Sequence, residues 1–183
     1  MTQDPPVTTA ERYARASSSG NLAPLVDERT DLDVMIAAGI ASKAKPDRIA
    51  ALKVQRMIVT GELGEVYAVV EHYDGILAGY LSRKGRRPMH KEARRALIVE
   101  VLHWMMFPKC EFCGGTGKMT EEGTAGKLYH TCSACHGATI KPLSRAVPHH
   151  FAKHAHYLVD DINQHSREAL KQMNRLLRGE PQT

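Results

Sequence analysis

Apolar residues recur at three- and four-residue steps over much of the chain, which predicts a mainly helical protein. The clearest example lies between residues 63 and 81, where apolar positions form one stripe on a helical period. The stripe consists of Leu63, Val66, Tyr67, Val70, Tyr73, Leu77, Tyr80 and Leu81. Because aromatic residues that keep a helical period usually pack inside a fold, we predict that the whole stripe belongs to the core.

Residues typical of helix ends define three further predicted helices, two before and one after the helix at 63–81. A short apolar helix is expected at 34–41, after the capping side chains at 30–33. A second helix at 46–60 begins with a proline in its first turn and is closed by Gly61. A fourth helix at 88–106 also opens on a proline and ends before Pro108.

The C-terminal segment leaves two alternatives open. Apolar residues keep helical spacing from Phe151 to Leu176, which fits one long helix beginning at Pro148. A break near 160–163 would instead give two helices, with Ser166 capping the second. The second helix would then present side chains of types that read bases, namely Arg167, Lys171, Gln172, Asn174 and Arg175. In a single helix they would form a polar face, which is the slightly favoured interpretation.

The chain has 183 residues, of which 43% are hydrophobic, enough for one globular domain. Residues 1–30 and 180–183 are predicted to be tails, so one helical domain is expected at 31–179. The sequence contains neither a run of about 18 apolar residues nor a signal peptide. We therefore expect a cytoplasmic protein that does not cross a membrane.

All four cysteines occur in two C-x-x-C pairs, Cys110 with Cys113 and Cys132 with Cys135. The C-x2-C-x18-C-x2-C spacing is typical of a four-cysteine zinc site. Four soft thiolates close a tetrahedron and leave no open position, so we expect one structural Zn²⁺. A glycine two residues after each pair permits a tight turn that aims backbone amides at the sulfurs.

Other interpretations of these residues are weaker. A redox C-x-x-C usually occurs singly near a βαβ pattern, which this sequence lacks. His130 and His136 lie beside the pairs and could each replace a cysteine as a ligand. His150 and His154 are four residues apart, but they have neither the glutamate of H-E-x-x-H nor an evident third ligand.

Short extended pieces at 118–120 and 127–131 flank a turn-like segment at 121–126. The expected fold class is therefore mainly α, a compact helical domain with a zinc-binding β-hairpin arm inserted at about 108–140. A nucleophile elbow, a phosphate-binding glycine loop and a paired-carboxylate pattern are all missing, so no motif in the sequence argues for catalysis.

The net charge of +5 is concentrated in the body of the chain, and its densest basic run is 83–95. Guanidinium groups pair well with phosphate oxygens, which makes this run a candidate for contact with a polyanion. A solvated charged face is the alternative. With three cations after the second cysteine pair, the predicted DNA contacts are Arg83, Lys84, Arg86, Arg87, Lys91, Arg94, Arg95, Lys141, Arg145 and Lys153.

Three stretches of the chain resemble the lambda-type late-gene antitermination protein Q family of lambdoid phages. They are DVMIAAGIA at 33–41, CEFCGGTG at 110–117, and CSACHG at 132–137 followed by SRAV at 144–147. The similarity spans roughly 31–150 in the same order along the chain. The DnaJ-type chaperone zinc module also uses the C-x-x-C-x-G-T-G pattern, so a zinc-stapled interaction or chaperone-like module is the alternative.

The resemblance implies a phage antitermination factor without enzyme activity that works in the bacterial host cytoplasm. Such a protein binds double-stranded DNA in a late promoter and engages host RNA polymerase through the β flap and the sigma factor. It then lets the polymerase read through terminators by extending the RNA-exit channel, which makes nascent RNA a further expected partner. Carried over to this sequence, the resemblance assigns the four cysteines as zinc ligands and Arg145 as the best matched basic candidate for DNA contact.

Overall fold

The computed structural model describes residues 8, 37–39, 45–120 and 129–178. The predicted tails, most of the predicted helix at 34–41 and the turn at 121–126 lie outside these residues, although 37–39 are helical. The described chain is mainly helical, as predicted. Its elements are Pro46–Thr60 (α1), Val66–Arg83 (α2), Lys91–Met106 (α3), Lys118–Thr120 (β1), Tyr129–Thr131 (β2), Leu143–Ala146 (α4), a 3₁₀ turn at His149–Phe151 and Ala152–Leu177 (α5). None of the described helices is both long and apolar enough to cross a membrane.

Helix α1 has the predicted ends. Pro46 lies in its first turn, where the missing N–H costs no hydrogen bond. Gly61 ends the helix with a left-handed φ of 72° and donates its N–H to the carbonyl of Met57. Local chemistry alone fixes both boundaries.

Helix α2 buries only part of the predicted stripe. Val70, Tyr73 and Leu77 are buried. Leu63 precedes the helix and is 55% exposed, and Tyr67 is 70% exposed, so placing these two residues in the core was wrong. The reason is that the buried arc of α2 centres on Tyr73 and Leu77, and Tyr67 lies at its edge in the first turn.

Helix α3 begins at Lys91, three residues after the predicted start at Pro88. The residues before it form a non-helical turn, and His90 has a φ of −55° and a ψ of 147°. This turn places the carbonyl of Met89 2.6 Å from a guanidinium nitrogen of Arg94, which donates to it. The turn is therefore fastened to the helix that follows it.

The C-terminal segment is one helix, α5, of 26 residues. Ser166 lies inside α5 and is buried, with its hydroxyl 3.4 Å from the carbonyl of Ala51 in α1. It caps no second helix, so the two-helix alternative is wrong for this segment. The side chains considered for base reading lie along α5, where Arg167, Lys171, Asn174 and Arg175 are exposed and Gln172 is half-buried.

The main core lies where α1, α2, α3 and α5 meet. Its largest fully buried members include Tyr73, Leu77, Ile98, Leu158 and Ile162. A smaller cluster joins the helical turn at 37–39 to α1 and to the second half of α5. The four cysteines form a third cluster outside both, and this cluster is the candidate site.

Candidate metal centre

The four cysteine Sγ atoms converge on one point. All of them lie within 4.8 Å of one another. Cys110 Sγ is 3.9 Å from Cys132 Sγ, and Cys113 Sγ is 3.8 Å from Cys135 Sγ. A tetrahedron with metal–sulfur bonds of about 2.3 Å has edges of about 3.8 Å. The cluster therefore has the donor set and the size to hold one metal ion such as Zn²⁺.

The histidines considered as replacement ligands are not part of this cluster. Within the described ranges, the cysteine cluster is the only group of three or more side chains placed to hold a metal. His130 and His136 are exposed beside it. His154 instead packs edge-on against Tyr80, with ring centroids 6.0 Å apart.

The two cysteine pairs repeat one backbone arrangement with an offset of 22 residues. The Thr116 N–H donates to the Cys113 carbonyl at 3.0 Å, and the Ala138 N–H donates to the Cys135 carbonyl at 2.9 Å. We call residues 109–118 the first knuckle and residues 131–140 the second knuckle.

The knuckles are also joined to each other by equivalent hydrogen bonds. The Cys132 N–H donates to the Gly117 carbonyl, and the Cys110 N–H donates to the Thr139 carbonyl, both at 3.0 Å. The outer pairings match as well, since Lys118 pairs with Thr131 and Lys109 pairs with Ile140. The site therefore has an approximate internal two-fold symmetry.

Three positions in each knuckle have a left-handed backbone. The matched pairs of φ angles are 58° at Gly114 and 50° at His136, 86° at Gly115 and 82° at Gly137, and 72° at Gly117 and 65° at Thr139. Glycine adopts this conformation at little steric cost, whereas a β-branched residue does so with strain. The second knuckle thus keeps the same path with a histidine and a threonine where the first has glycines.

Backbone amides point at the sulfurs, as the glycine positions predicted. The Gly117 N–H donates to Cys113 Sγ at 3.3 Å. Burial raises the pKa of Cys113, but hydrogen bonds from the amides of Gly117 and Gly115 outweigh it and lower the pKa to about 6.

Burial and the adjacent thiols raise the pKa of Cys135 to about 11, although the amides of Thr139 and Gly137 oppose this. The surroundings therefore favour a thiolate at Cys113 and resist one at Cys135. A divalent cation would remove that resistance, because its charge favours ionisation of all four thiols.

A short segment fastens the knuckles to the helical body. The Lys141 N–H donates to the Pro108 carbonyl at 2.8 Å. The indole Nε1 of Trp104 donates to the Lys141 carbonyl at 2.6 Å. Both backbone groups of Lys141 are therefore held against the end of α3.

Two of the predicted DNA-contacting cations have acidic partners on α2. The Arg94 guanidinium meets the Asp74 carboxylate through two contacts of 2.7 and 3.0 Å, and Asp74 is buried. Arg95 pairs with Glu71. The sequence analysis did not identify Asp74. Its position among the apolar residues of α2 could have indicated a buried acid that needs a cationic partner. Because Arg94 faces the protein interior, we leave it out of the candidate interface.

The other predicted contacts face solvent. Lys91, Arg145 and Lys153 are exposed, and Lys141 is half-buried with its ammonium group 3.4 Å from Glu111. We call residues 83–87 the basic turn. Its four cations, Arg83, Lys84, Arg86 and Arg87, are all exposed, and none forms an ion pair with an acid in the part of the chain that the structure describes.

The basic turn lies beside the first turns of α5. Burial lowers the pKa of His154, and the nearby charge of Arg86 lowers it further. Burial and the Asp161 carboxylate raise the pKa of Tyr157, while the nearby Arg83 charge opposes them, and the Tyr157 ring stacks on Tyr80 with centroids 3.9 Å apart. Lys153 precedes His154 in α5 and is exposed.

Comparison of the chain with protein-family models, with curated proteins and with solved structures finds no match. Function must therefore be inferred from the cysteine cluster, its two-fold arrangement and the exposed cations. An ion bound by four thiolates has no open coordination position, so it would stabilise the fold and would not bind a substrate.

Proposed function

We propose that this protein is a phage transcription antitermination factor with a structural Zn²⁺ ion. It binds double-stranded DNA in a late promoter, engages bacterial RNA polymerase through the β flap and the sigma factor, and makes the polymerase read through terminators. The resemblance to the Q family at 33–41, 110–117 and 132–137 supports this specific role. The exposed, acid-free basic turn carries the nucleic-acid part of the proposal.

The zinc assignment follows from the donor set and its dimensions. Four thiols with Sγ separations of 3.8 and 3.9 Å suit a tetrahedral ion bound by sulfur, and Zn²⁺ is the usual ion of closed four-cysteine sites. In the zinc-bound protein, the paired strands β1 and β2 belong to an arm inserted in the helical domain. The ion holds that arm to the end of α3.

The proposed DNA contact rests on a contrast between two groups of cations. Arg94 and Arg95 are neutralised by carboxylates of α2. The basic turn has no such partner among the described residues, so several like charges lie close together at the surface. Repulsion among them falls when a phosphate backbone provides the counter-charge, and its counterions are released on binding.

Transcription through a terminator tests the antitermination role. The template carries the phage's own late promoter, and the zinc-loaded protein is added or withheld. We expect terminated transcripts to give way to read-through transcripts only when the protein is present. Equal read-through on a template with a scrambled promoter would contradict promoter-specific loading.

A salt titration with duplex DNA tests the interface. The variant Arg83→Gln, Arg86→Gln, Arg87→Gln removes three charges from the basic turn. It should reduce the slope of log affinity against log salt by roughly 0.9 for each phosphate that the variant leaves without a cation. The matched control removes three charges from the exposed face of α5 by Arg167→Gln, Lys171→Gln and Arg175→Gln. Equal slopes for the two variants would show that the basic turn is only a solvated face.

One observation favours a second function, a zinc-stapled protein-interaction or chaperone-like module. Four large apolar side chains are exposed in or beside the knuckles, namely Phe107, Phe112, Tyr129 and Ile140. Such a surface can bind an unfolded or apolar partner. Suppression of client aggregation, unaffected by loss of the basic turn, together with absence of DNA binding, would favour this alternative.

A further inference from the structure

We propose that a groove beside the first knuckle binds an unpaired nucleotide of single-stranded RNA. This binding site would deepen the proposed nucleic-acid-binding function and rests on it. The groove has a volume of about 350 Å³, within the range of small-ligand sites. It is lined by Cys110, Glu111, Phe112, Ala134, Lys141, Pro142 and Arg145.

The internal two-fold symmetry singles out Phe112. It precedes the second cysteine of the first knuckle, and Ala134 holds the equivalent position in the second. Ala134 is 6% exposed, whereas Phe112 is 71% exposed. Because the second knuckle makes the same sulfur and backbone contacts with an alanine, the metal geometry does not require an aromatic ring here. The exposed ring of Phe112 therefore calls for another explanation.

An exposed aromatic ring at the edge of a groove is a stacking platform for a base. Every nucleobase has a flat π-face, so stacking tolerates any sequence, and it requires a base that is free of its partner strand. Paired bases inside a duplex cannot reach such a ring. The exposed ring therefore favours a single strand over the duplex that the basic turn would bind.

The part of the groove lining formed by Lys141, Pro142 and Arg145 is held in place before any ligand arrives. The backbone of Lys141 is hydrogen-bonded on both sides, to Pro108 and to Trp104, at 2.8 and 2.6 Å. The Arg145 N–H donates to the Pro142 carbonyl at 2.9 Å, which begins α4. A preformed wall reduces the ordering cost of binding.

Charge in the groove favours a phosphate-bearing ligand. Two cations, Lys141 and Arg145, line it together with one acid, Glu111. Arg145 is exposed, and its side chain forms no ion pair within the described residues. Both cations line the same groove as Phe112, so they are available to pair with the phosphates of a nucleotide that stacks there.

Glu111 favours RNA over single-stranded DNA. A carboxylate repels phosphates, but it accepts a hydrogen bond from a ribose 2′-hydroxyl. Its present contact with Lys141 is a long 3.4 Å, so the carboxylate can exchange that partner for a hydroxyl. The 2′-hydroxyl is the group by which a protein distinguishes the two nucleic acids.

Fluorescence anisotropy with a labelled oligouridine RNA and the zinc-loaded full chain tests the proposal. Phe112→Leu, which keeps apolar bulk but loses the π-face, should weaken RNA binding by roughly 5- to 150-fold. Phe112→Trp should preserve binding. The control Ile140→Ala changes another exposed apolar side chain of the knuckles and should have little effect. Zinc content of one ion per chain in every variant shows that the module is intact.

Three results would overturn the proposal. The first is equal RNA affinity of the Phe112→Leu variant and the unaltered protein, and the second is equal affinity for oligouridine and oligodeoxyuridine. The third is binding of an unfolded protein client, but not of RNA, that depends on Phe112. Duplex DNA serves as the parallel probe, because its binding should depend on the basic turn and not on Phe112. If the unaltered protein binds RNA through Phe112 but gives no terminator read-through, the antitermination role is contradicted and the RNA site is not.

Discussion

Gly117 and Thr139 hold equivalent positions in the two knuckles, and both have a left-handed backbone, with φ of 72° and 65°. The carbonyl of each accepts the N–H of the first cysteine in the opposite knuckle. The surroundings differ, because a Cβ atom at Gly117 would lie 2.9 Å from the Gly137 carbonyl oxygen. Position 139, in contrast, already accommodates a β-branched side chain.

Substitution at these two positions should have opposite effects on the zinc-loaded module. Gly117→Ala adds both the left-handed penalty of about 1–2 kcal/mol and a backbone clash, so it should lower the free energy of unfolding by about 2 kcal/mol or more. Thr139→Gly removes the left-handed penalty at some entropic cost, so it should raise the free energy of unfolding by about 0.5–1 kcal/mol. Urea unfolding with an optical indicator of zinc release measures both. Gly64→Ala, at an open position outside the module, is the control, and matching losses at positions 117 and 139 would refute the distinction.

The pKa values of the thiols predict an order of alkylation in the metal-free protein. The pKa of Cys113 is lowered to about 6, so its thiolate predominates above that pH and is lost as the pH falls through it. The pKa of Cys135 is raised to about 11, so this thiol stays protonated and slow to react at neutral pH. Iodoacetamide labelling at pH 7, followed by peptide mass spectrometry, should modify Cys113 first. Zinc should protect all four cysteines, and modification of Cys135 before Cys113 would contradict the predicted order.

The Asp74–Arg94 ion pair should be a major contributor to stability. Asp74 is buried, so Arg94→Met leaves a carboxylate without its partner and should lower the free energy of unfolding by about 3–5 kcal/mol. Arg94→Lys should recover little, because an ammonium group cannot make the same paired contacts and also reach the Met89 carbonyl.

Chemical denaturation of these variants measures the effect. Arg87→Met makes the same change at an exposed position and should have little effect. A small loss in Arg94→Met, with a large loss in DNA affinity instead, would return Arg94 to the interface.

The hydroxyl of Tyr73 should be dispensable for stability. It is buried and has no hydrogen-bond partner among the described residues. Burial raises the pKa of Tyr73, and the carboxylates of Asp161 and Asp47 raise it further. Tyr73→Phe should therefore leave the free energy of unfolding unchanged or raise it by about 1 kcal/mol. Ser166→Ala, which loses the hydrogen bonds of a buried hydroxyl with Ala51 and Gln55, is the comparison and should be destabilised; the reverse ranking in urea unfolding would be inconsistent with the structure.

Features fixed by adjacent residues could be predicted from the sequence. The ends of α1 follow from Pro46 and Gly61, and the grouping of the four cysteines follows from their spacing. Periodicity predicted the burial of individual side chains less well. It shows which side chains share one face of a helix, but not how much of that face the neighbouring helices cover. Tyr67 is exposed for that reason.

The charge pattern likewise did not predict which cations are available to bind DNA. A run of cations does not reveal which of them rotates inward, and Arg94 does so only because Asp74 lies opposite on α2. The internal two-fold symmetry was also hidden in the sequence, since Thr139 stands where the first knuckle has Gly117. Only the backbone angles and the reciprocal hydrogen bonds show that the two positions correspond.

Because Trp104 donates a hydrogen bond to the Lys141 carbonyl, its fluorescence should report whether the metal site is occupied. The chain contains a single tryptophan, and it lies half-buried at the junction between α3 and the knuckles. Indole emission depends on that hydrogen bond and on access of water to the ring. Removing zinc with a chelator should therefore shift the emission to longer wavelength, and restoring the ion should reverse the shift. Occupancy of the metal site and contact between the knuckles and α3 can thus be followed in unlabelled protein.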